Sequence, residues 1–327
     1  MPSSVHDGRP AETSSPADAR PAWHFGRYLL IVLLLTVLVV LLTFPLAASH
    51  TFLRISRRRL WHAAEYRFQQ PPHQDCDVII AGDSSGLIGV DPNVLQAGTG
   101  WKTCNIALPY DNTALAGTRV LDAWLANNHP PRFIVFHLSD NHLHRPIVNE
   151  DNGVIDGWLM VDENFPAGEK LRIFVSHPLN TLRFVTAVWK EFLTTKPILR
   201  PDWTGGTYRY DMQEQAAQRG WMPERGTFAD VVCNWQASDL YIEPAYLIAT
   251  TAKYTRDGTR AVIWPSPVRD CDARIAQYRK NAQTLDLPQV AVYNRALFFD
   301  AFHLNTEGAA RNATALASYL LSLEAKH

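Results

Sequence analysis

Read from the N-terminus, the chain first shows no apolar period at all. Residues 1–27 are rich in Pro, Ser, Ala and Asp and read as a disordered tail. Tyr28 to Ala48 then run through Leu, Ile and Val without a single charge. At about 1.5 Å per residue, a helix of that length crosses the ~30 Å hydrocarbon layer of a bilayer. An uncleaved transmembrane anchor is expected, because a cleaved signal has a shorter apolar core, although Ala47-Ala48-Ser49 resembles a cleavage site. Residues 49–74 mix Arg54, Arg57, Arg58, Arg59 and Arg67 with Leu60, Trp61, Tyr66 and Phe68. They read as a basic juxtamembrane stalk, or as a helix lying against anionic headgroups.

From residue 75 the pattern alternates short apolar runs with helical periods, as an α/β fold with a parallel sheet and helices on both faces requires. Strands are predicted at Val78–Gly82 and near 102–107, 132–138, 260–264 and 290–299. Asp91-Pro92 offers a helix cap followed by proline at the first helical position. Further helices are predicted near 113–127, 180–194, 244–254, 273–283 and 306–323. The last of these carries Ala309, Ala313, Leu316, Leu320 and Leu323 on one face, with Asn305 as its cap. The alternation breaks over 145–240, which is rich in Trp, Pro and Gly and reads as an insertion in one domain spanning 75–327.

Composition narrows the classes. The 327 residues are 46% apolar, ample for a globular core, and a net charge of -1 gives no bulk attraction to nucleic acid. The cysteines Cys76, Cys104, Cys233 and Cys271 have no metal-ligand spacing. Cys76 and Cys104 are expected too far apart, along neighbouring parallel strands, for a disulfide. Cys233 with Cys271 stays open as a pair, beside the alternative of four free thiols. His137, His142, His144 and Asp140 match no usual ligand motif, so neither a metal nor any other cofactor is expected. Trp158, Trp203, Trp221 and Trp235 are expected to fill cores rather than stack on sugar rings.

The candidate chemistry sits at strand ends, where ligands bind in open parallel sheets. Gly82-Asp83-Ser84-Ser85 closes the first buried strand, and Asp300-Ala301-Phe302-His303 precedes the last helix. Together they supply a nucleophile, a base and an acid that orients the base, in the chain order Ser, Asp, His. Ser84 is expected to attack an acyl carbonyl, His303 to carry its proton and Asp300 to hold the imidazole. Ser85 is the rival nucleophile. The plainer alternative is a turn serine and a helix-capping aspartate.

These residues resemble the SGNH (GDSL-type) hydrolase superfamily. Gly82-Asp83-Ser84 corresponds to its first block, and Asp300-x-x-His303-Leu304-Asn305-x-x-Gly308 to its last. The second block keeps Asn105, with Ala107 and Tyr110 at its glycine positions; the third keeps Asn141, between Asp140 and His142. The likeness covers about 75–145 and 260–323. It implies a flavodoxin-like SGNH fold, an oxyanion hole from the Ser84 amide, the Tyr110 backbone and the Asn141 side chain, and substrate contacts from Asn105 and His142. Membrane-anchored proteins that it is similar to include the alginate O-acetylation and teichoic acid D-alanine transfer proteins. That implies acyl transfer to or from a cell-surface or exported polysaccharide, beside a membrane-bound O-acyltransferase as partner, on the periplasmic or extracytoplasmic side. A plain count of flanking arginines points the other way, to the cytoplasm. Two other functions stay open: a membrane-tethered esterase or lipase-like hydrolase, and a non-catalytic scaffold that binds glycan or a partner.

Overall fold

A computed structural model describes residues 21–48, 66, 74–108, 118–139, 167–176, 178–195, 206–224, 233, 244–256, 258–284, 287–288 and 290–326. The N-terminal tail before residue 21 and nearly all of the expected stalk lie outside the described residues. The chain divides into two units, Met1–Thr43 and Phe44–His327. Helix α1 (Pro21–Ala48) contains the stretch Phe25–Ala47, long and apolar enough to cross a membrane.

The second unit is built on a parallel sheet of four strands, β1 (Val78–Gly82), β2 (Thr103–Asn105), β3 (Phe133–Leu138) and β4 (Arg260–Pro265), in the order β2-β1-β3-β4. Every residue of β1 and β3 is buried, because both strands are covered on both faces. That is why they read in the sequence as unbroken apolar runs. The register sets Gly82 beside His137 and His137 beside Trp264, so three strands end in one row.

Helices cover both faces. Helix α2 (Ser84–Gly89) and helix α3 (Pro92–Thr99) follow β1, and helix α4 (Thr118–Asn127) follows β2. Helix α5 (Ala167–Ser176), helix α6 (Pro178–Thr195) and helix α7 (Gly206–Ala217) lie within 145–240. Helix α8 (Pro244–Tyr254) leads into β4, and helix α9 (Ile275–Thr284) separates a small parallel pair, β5 (Val268–Arg269) and β6 (Val292–Tyr293). Helix α10 (Thr306–Glu324) ends the fold. One face of the sheet packs Ile79, Ile134, Phe136 and Ile263 against Leu121 and Trp124 of α4 and Leu247 and Tyr254 of α8. The other packs Val78, Ile80, Val135 and Val262 against Ala313, Leu316 and Leu320 of α10.

Three expectations change. Cys76 and Cys104 are bonded, with Cα atoms 6.0 Å apart, and Cys233 is bonded to Cys271. The chain does not run extended before β1: Asp75 takes φ 37°, and Cys76 turns in to the same core cluster as Cys104. Strand β2 is shorter than 102–107: it ends at Asn105, whose side chain accepts from the Ala107 amide, although Ile106 still donates to the Ile80 carbonyl of β1. Strand β6 covers only Val292–Tyr293, because Asn294 accepts from the Ala296 amide and starts a 3-10 turn over Arg295–Leu297.

Candidate active site

The site begins with a glycine that has no substitute. Gly82 takes φ 135°, and a Cβ there would overlap the His137 carbonyl. Only glycine lets β1 end so close to β3. Asp83 follows in an extended conformation and caps α2, its side chain accepting from the Ser85 amide. Ser84 therefore occupies the first helical position, just past the carboxyl end of β1.

The partner turn is fixed from the other end of the chain. Asn305 accepts from the Gly308 amide and donates its Nδ2 to the Ala296 carbonyl, tying the start of α10 to the 3-10 turn. A Cβ on Gly308 would overlap the Leu297 carbonyl, which explains the glycine at that place. Phe299 donates to the His303 carbonyl at 2.7 Å, closing the loop that carries Asp300 and His303.

These two constructions bring Ser84, His303 and Asp300 together. The Ser84 Oγ lies 2.9 Å from His303 Nε2, across 219 residues of sequence. His303 Nδ1 lies 2.8 Å from Asp300 Oδ2, and Asp300 Oδ1 accepts the Phe302 and His303 amides at 2.8 Å each. Burial opposes ionisation of Asp300, but the His303 bond and charge, with the two amides, outweigh it and hold its carboxyl below the usual range. An ionised Asp300 accepts Nδ1–H, so Nε2 keeps its lone pair toward the serine hydroxyl. All three residues retain some exposure.

Directly beneath lies a second Asp, Ser and His array that has none. Asp83 is fully buried; Oδ1 accepts from the Ser85 Oγ at 2.6 Å, and Oδ2 accepts from the Ser139 amide and hydroxyl at 2.9 Å. The Ser85 Oγ is 3.1 Å from His137 Nδ1. His137 Nε2 is 2.9 Å from Asn312 Nδ2, which also donates to the Gly89 carbonyl, while Asn312 Oδ1 accepts from Trp264 Nε1. Proton counting gives one consistent assignment. Ser85 donates to Asp83, His137 donates from Nδ1 to Ser85, and His137 Nε2 accepts from Asn312. Burial drives the His137 pKa down to about 4, against the attraction of Asp83. Ser85 is sealed from any substrate, which disposes of it as a surface nucleophile.

The remaining expected residues divide. Asn105, expected to touch substrate, is fully buried; it donates to the Gly86 carbonyl at 2.9 Å and accepts from the Ala107 amide at 3.0 Å. Its amide fastens α2 to the segment after β2. Tyr110, Asn141 and His142 lie outside the described residues, as do Asp140, His144, Trp158, Trp203 and Trp235. Trp221 is core, packed on Phe298 and Leu304, with Nε1 donating to the Ile88 carbonyl at 2.7 Å. Among the described residues, no group of three His, Cys, Asp or Glu side chains is placed to hold a metal ion. A recess bordered by Ser139, Pro267, Arg269, Arg274, Ala301 and Phe302 opens beside the His303 turn.

The reading from sequence weighs His137 only as a metal ligand and assigns no role to Ser139 or Asn312. One signal was present for two of them. Asn312 interrupts the apolar face of α10 between Ala309 and Leu316, and His137 interrupts a wholly buried strand. Isolated polar residues on buried faces require partners, and these two partner each other.

Compared with known proteins, the chain matches no family model, no curated protein and no solved structure.

Proposed function

We propose that the chain is a membrane-anchored serine acyl-transfer enzyme of SGNH type, an O-acyl esterase or O-acyltransferase. Its substrate is an acyl ester on a cell-surface or exported polysaccharide, and its partner a membrane-bound O-acyltransferase. The observation that carries this reading is the partly exposed hydrogen-bonded chain from the Ser84 Oγ through His303 to Asp300. The strand order β2-β1-β3-β4 supports it, since this is the flavodoxin-like order, whose ligand crevice opens between β1 and β3.

The chemistry follows from the geometry. The Ser84 Oγ attacks the acyl carbonyl carbon as its proton passes to His303 Nε2. Asp300 stabilises the imidazolium that forms. The Ser84 N–H faces the tetrahedral oxyanion, and the SGNH resemblance adds the Tyr110 backbone and the Asn141 amide, which lie outside the described residues, as further donors; each such donor contributes about 3 kcal/mol. The bond to the leaving oxygen breaks, and His303 returns the proton to that oxygen. Water or a sugar hydroxyl, deprotonated by His303, then attacks the acyl-serine and releases the product.

Two disulfides support an extracytoplasmic domain, because such bonds persist in oxidising compartments. The test is covalent. A fluorophosphonate probe is expected to label the purified full chain, and Ser84→Ala to abolish the labelling. Labelling that survives Ser84→Ala would transfer the role to another residue. No labelling across a range of pH would favour the non-catalytic scaffold.

A further inference from the structure

Helix α6 has two apolar stripes, and the protein uses one of them. Thr181, Phe184, Val185 and Val188 are buried, at the spacing of a single helix face. On the opposite side Leu179, Leu182 and Leu193 follow their own helical spacing and are 54–66% exposed. Helix α5 ends one residue before α6 begins, packs against it, and adds Leu171, Phe174 and Val175 at i, i+3 and i+4. Leu171 and Val175 are 64% and 68% exposed. Scattered exposed leucines need no explanation, but six large apolar side chains on one helical hairpin form a surface that water disfavours.

What covers it is indicated by the end of α1. Phe44, in the last turns of that helix, stacks on Phe184 of α6 with ring centroids 6.0 Å apart, and Ala47 is fully buried. Phe44 also lies within the stretch apolar enough to span a bilayer. The hairpin thus packs, within the second unit, on residues that end the apolar stretch. Lys170 and Arg172 on α5, with Arg183 and Lys190 on α6, accompany the apolar positions, against Glu169 and Glu191. Basic residues beside an apolar helix face suit an anionic lipid surface, where aliphatic stems lie along the acyl region and the charges reach the headgroups.

We propose that α5 and α6 form an interfacial hairpin that lies in the lipid headgroup layer. The surface holds the domain close against the bilayer rather than at the end of a free tether. This rests on α1 as an anchor and not on the chemistry of Ser84.

Every native cysteine is in a disulfide, so an introduced thiol can be labelled alone. Full-length Val175→Cys and Leu182→Cys, each carrying an environment-sensitive nitrobenzoxadiazole dye, are reconstituted into vesicles of phosphatidylethanolamine and phosphatidylglycerol. Ser318→Cys, exposed on α10, is the aqueous control. The expected result is blue-shifted emission at 175 and 182, quenched several-fold more by acyl-chain nitroxides than at 318. Emission and iodide quenching equal to the control at both positions would overturn the proposal while leaving the anchor intact. If those labels became shielded only in native membranes, the surface would belong to a protein partner instead. A chain that washes off the vesicles in alkaline carbonate would overturn the anchor and the hairpin together, with the Ser84 chemistry untouched.

Discussion

Asp83, Ser84 and Ser85 are consecutive, yet Asp83 and Ser85 are sealed while Ser84 keeps surface. The difference arises where β1 turns into α2. Asp83 caps the helix and points inward to Ser85 and Ser139, so the next side chain, Ser84, is left toward the His303 turn. The burial of Asp83 therefore contributes rigidity to the proposed nucleophile rather than chemistry. At Asp300 the roles are reversed. That carboxylate accepts two amides and one imidazole N–H, so it fixes both the turn and the tautomer of His303. Asp300→Asn is expected to keep the turn, because Oδ1 still accepts, but its amide would present a donor to Nδ1 and reverse the tautomer. Acyl transfer is expected to fall by about 10⁴, as for other triads that lose this carboxylate. The double variant with His303→Ala should be little worse than His303→Ala alone, since members of a triad act as one unit. Hydrolysis of an activated ester by the three variants measures this. Multiplicative losses would reduce Asp300 to a turn former.

At the scale of elements, the buried array joins α2, β3, β4 and α10 through Ser85, His137, Trp264 and Asn312. It also makes the fold sensitive to acid. The folded protein keeps His137 neutral down to about pH 4, whereas the unfolded chain takes up its proton near 6.5. The unfolded state then binds more protons, so stability falls as pH falls between those values, by about 3 kcal/mol in all. The contribution of Asp300 has the carboxylate sign and a lower window, present above its ordinary 3.8 and lost as pH falls below it. His137→Gln is expected to be less stable than the parent near neutrality but to lose less between pH 6.5 and 4. Thermal unfolding across that range reads the difference; equal slopes would exclude His137 as the source. Elements differ in how far the sequence discloses them. Strands β1 and β3, helix α8 and helix α10 are legible because buried runs and helical periods are local signals. Helix α7 is not, because it buries Asp211 and Gln215 and carries no apolar stripe. Helix α5 is hidden by the Trp-, Pro- and Gly-rich composition around it. The contact between Ser84 and His303 is legible only through motif spacing, while the one between His137 and Asn312 has no motif and depends on the register of β1 against β3 and on the packing of α10.

For the whole molecule, flanking charge and disulfide chemistry point to opposite sides of a membrane for the second unit. Five arginines between residues 54 and 67 follow the apolar stretch, and only Arg20 and Arg27 closely precede it, which favours a cytoplasmic domain. Large domains translocate largely regardless of flanking charge, so this count has little force for a unit of such size. The disulfides weigh more. Cys76–Cys104 and Cys233–Cys271 close loops with sequence separations of 28 and 38, each stabilising the fold by about 3–4 kcal/mol through restriction of the unfolded chain. A reducing cytoplasm would forfeit most of that, and net stability of a domain is itself only ~5–15 kcal/mol. The domain is therefore expected outside the cytoplasm. Alkaline phosphatase fused after His327 should be active and a fluorescent protein at the same place dark. In intact cells, a maleimide should modify none of the four cysteines until a reductant is added. A bright fusion with four reactive thiols would return the domain to the cytoplasm, and would leave the pairing of Cys76 with Cys104 as proximity without a bond.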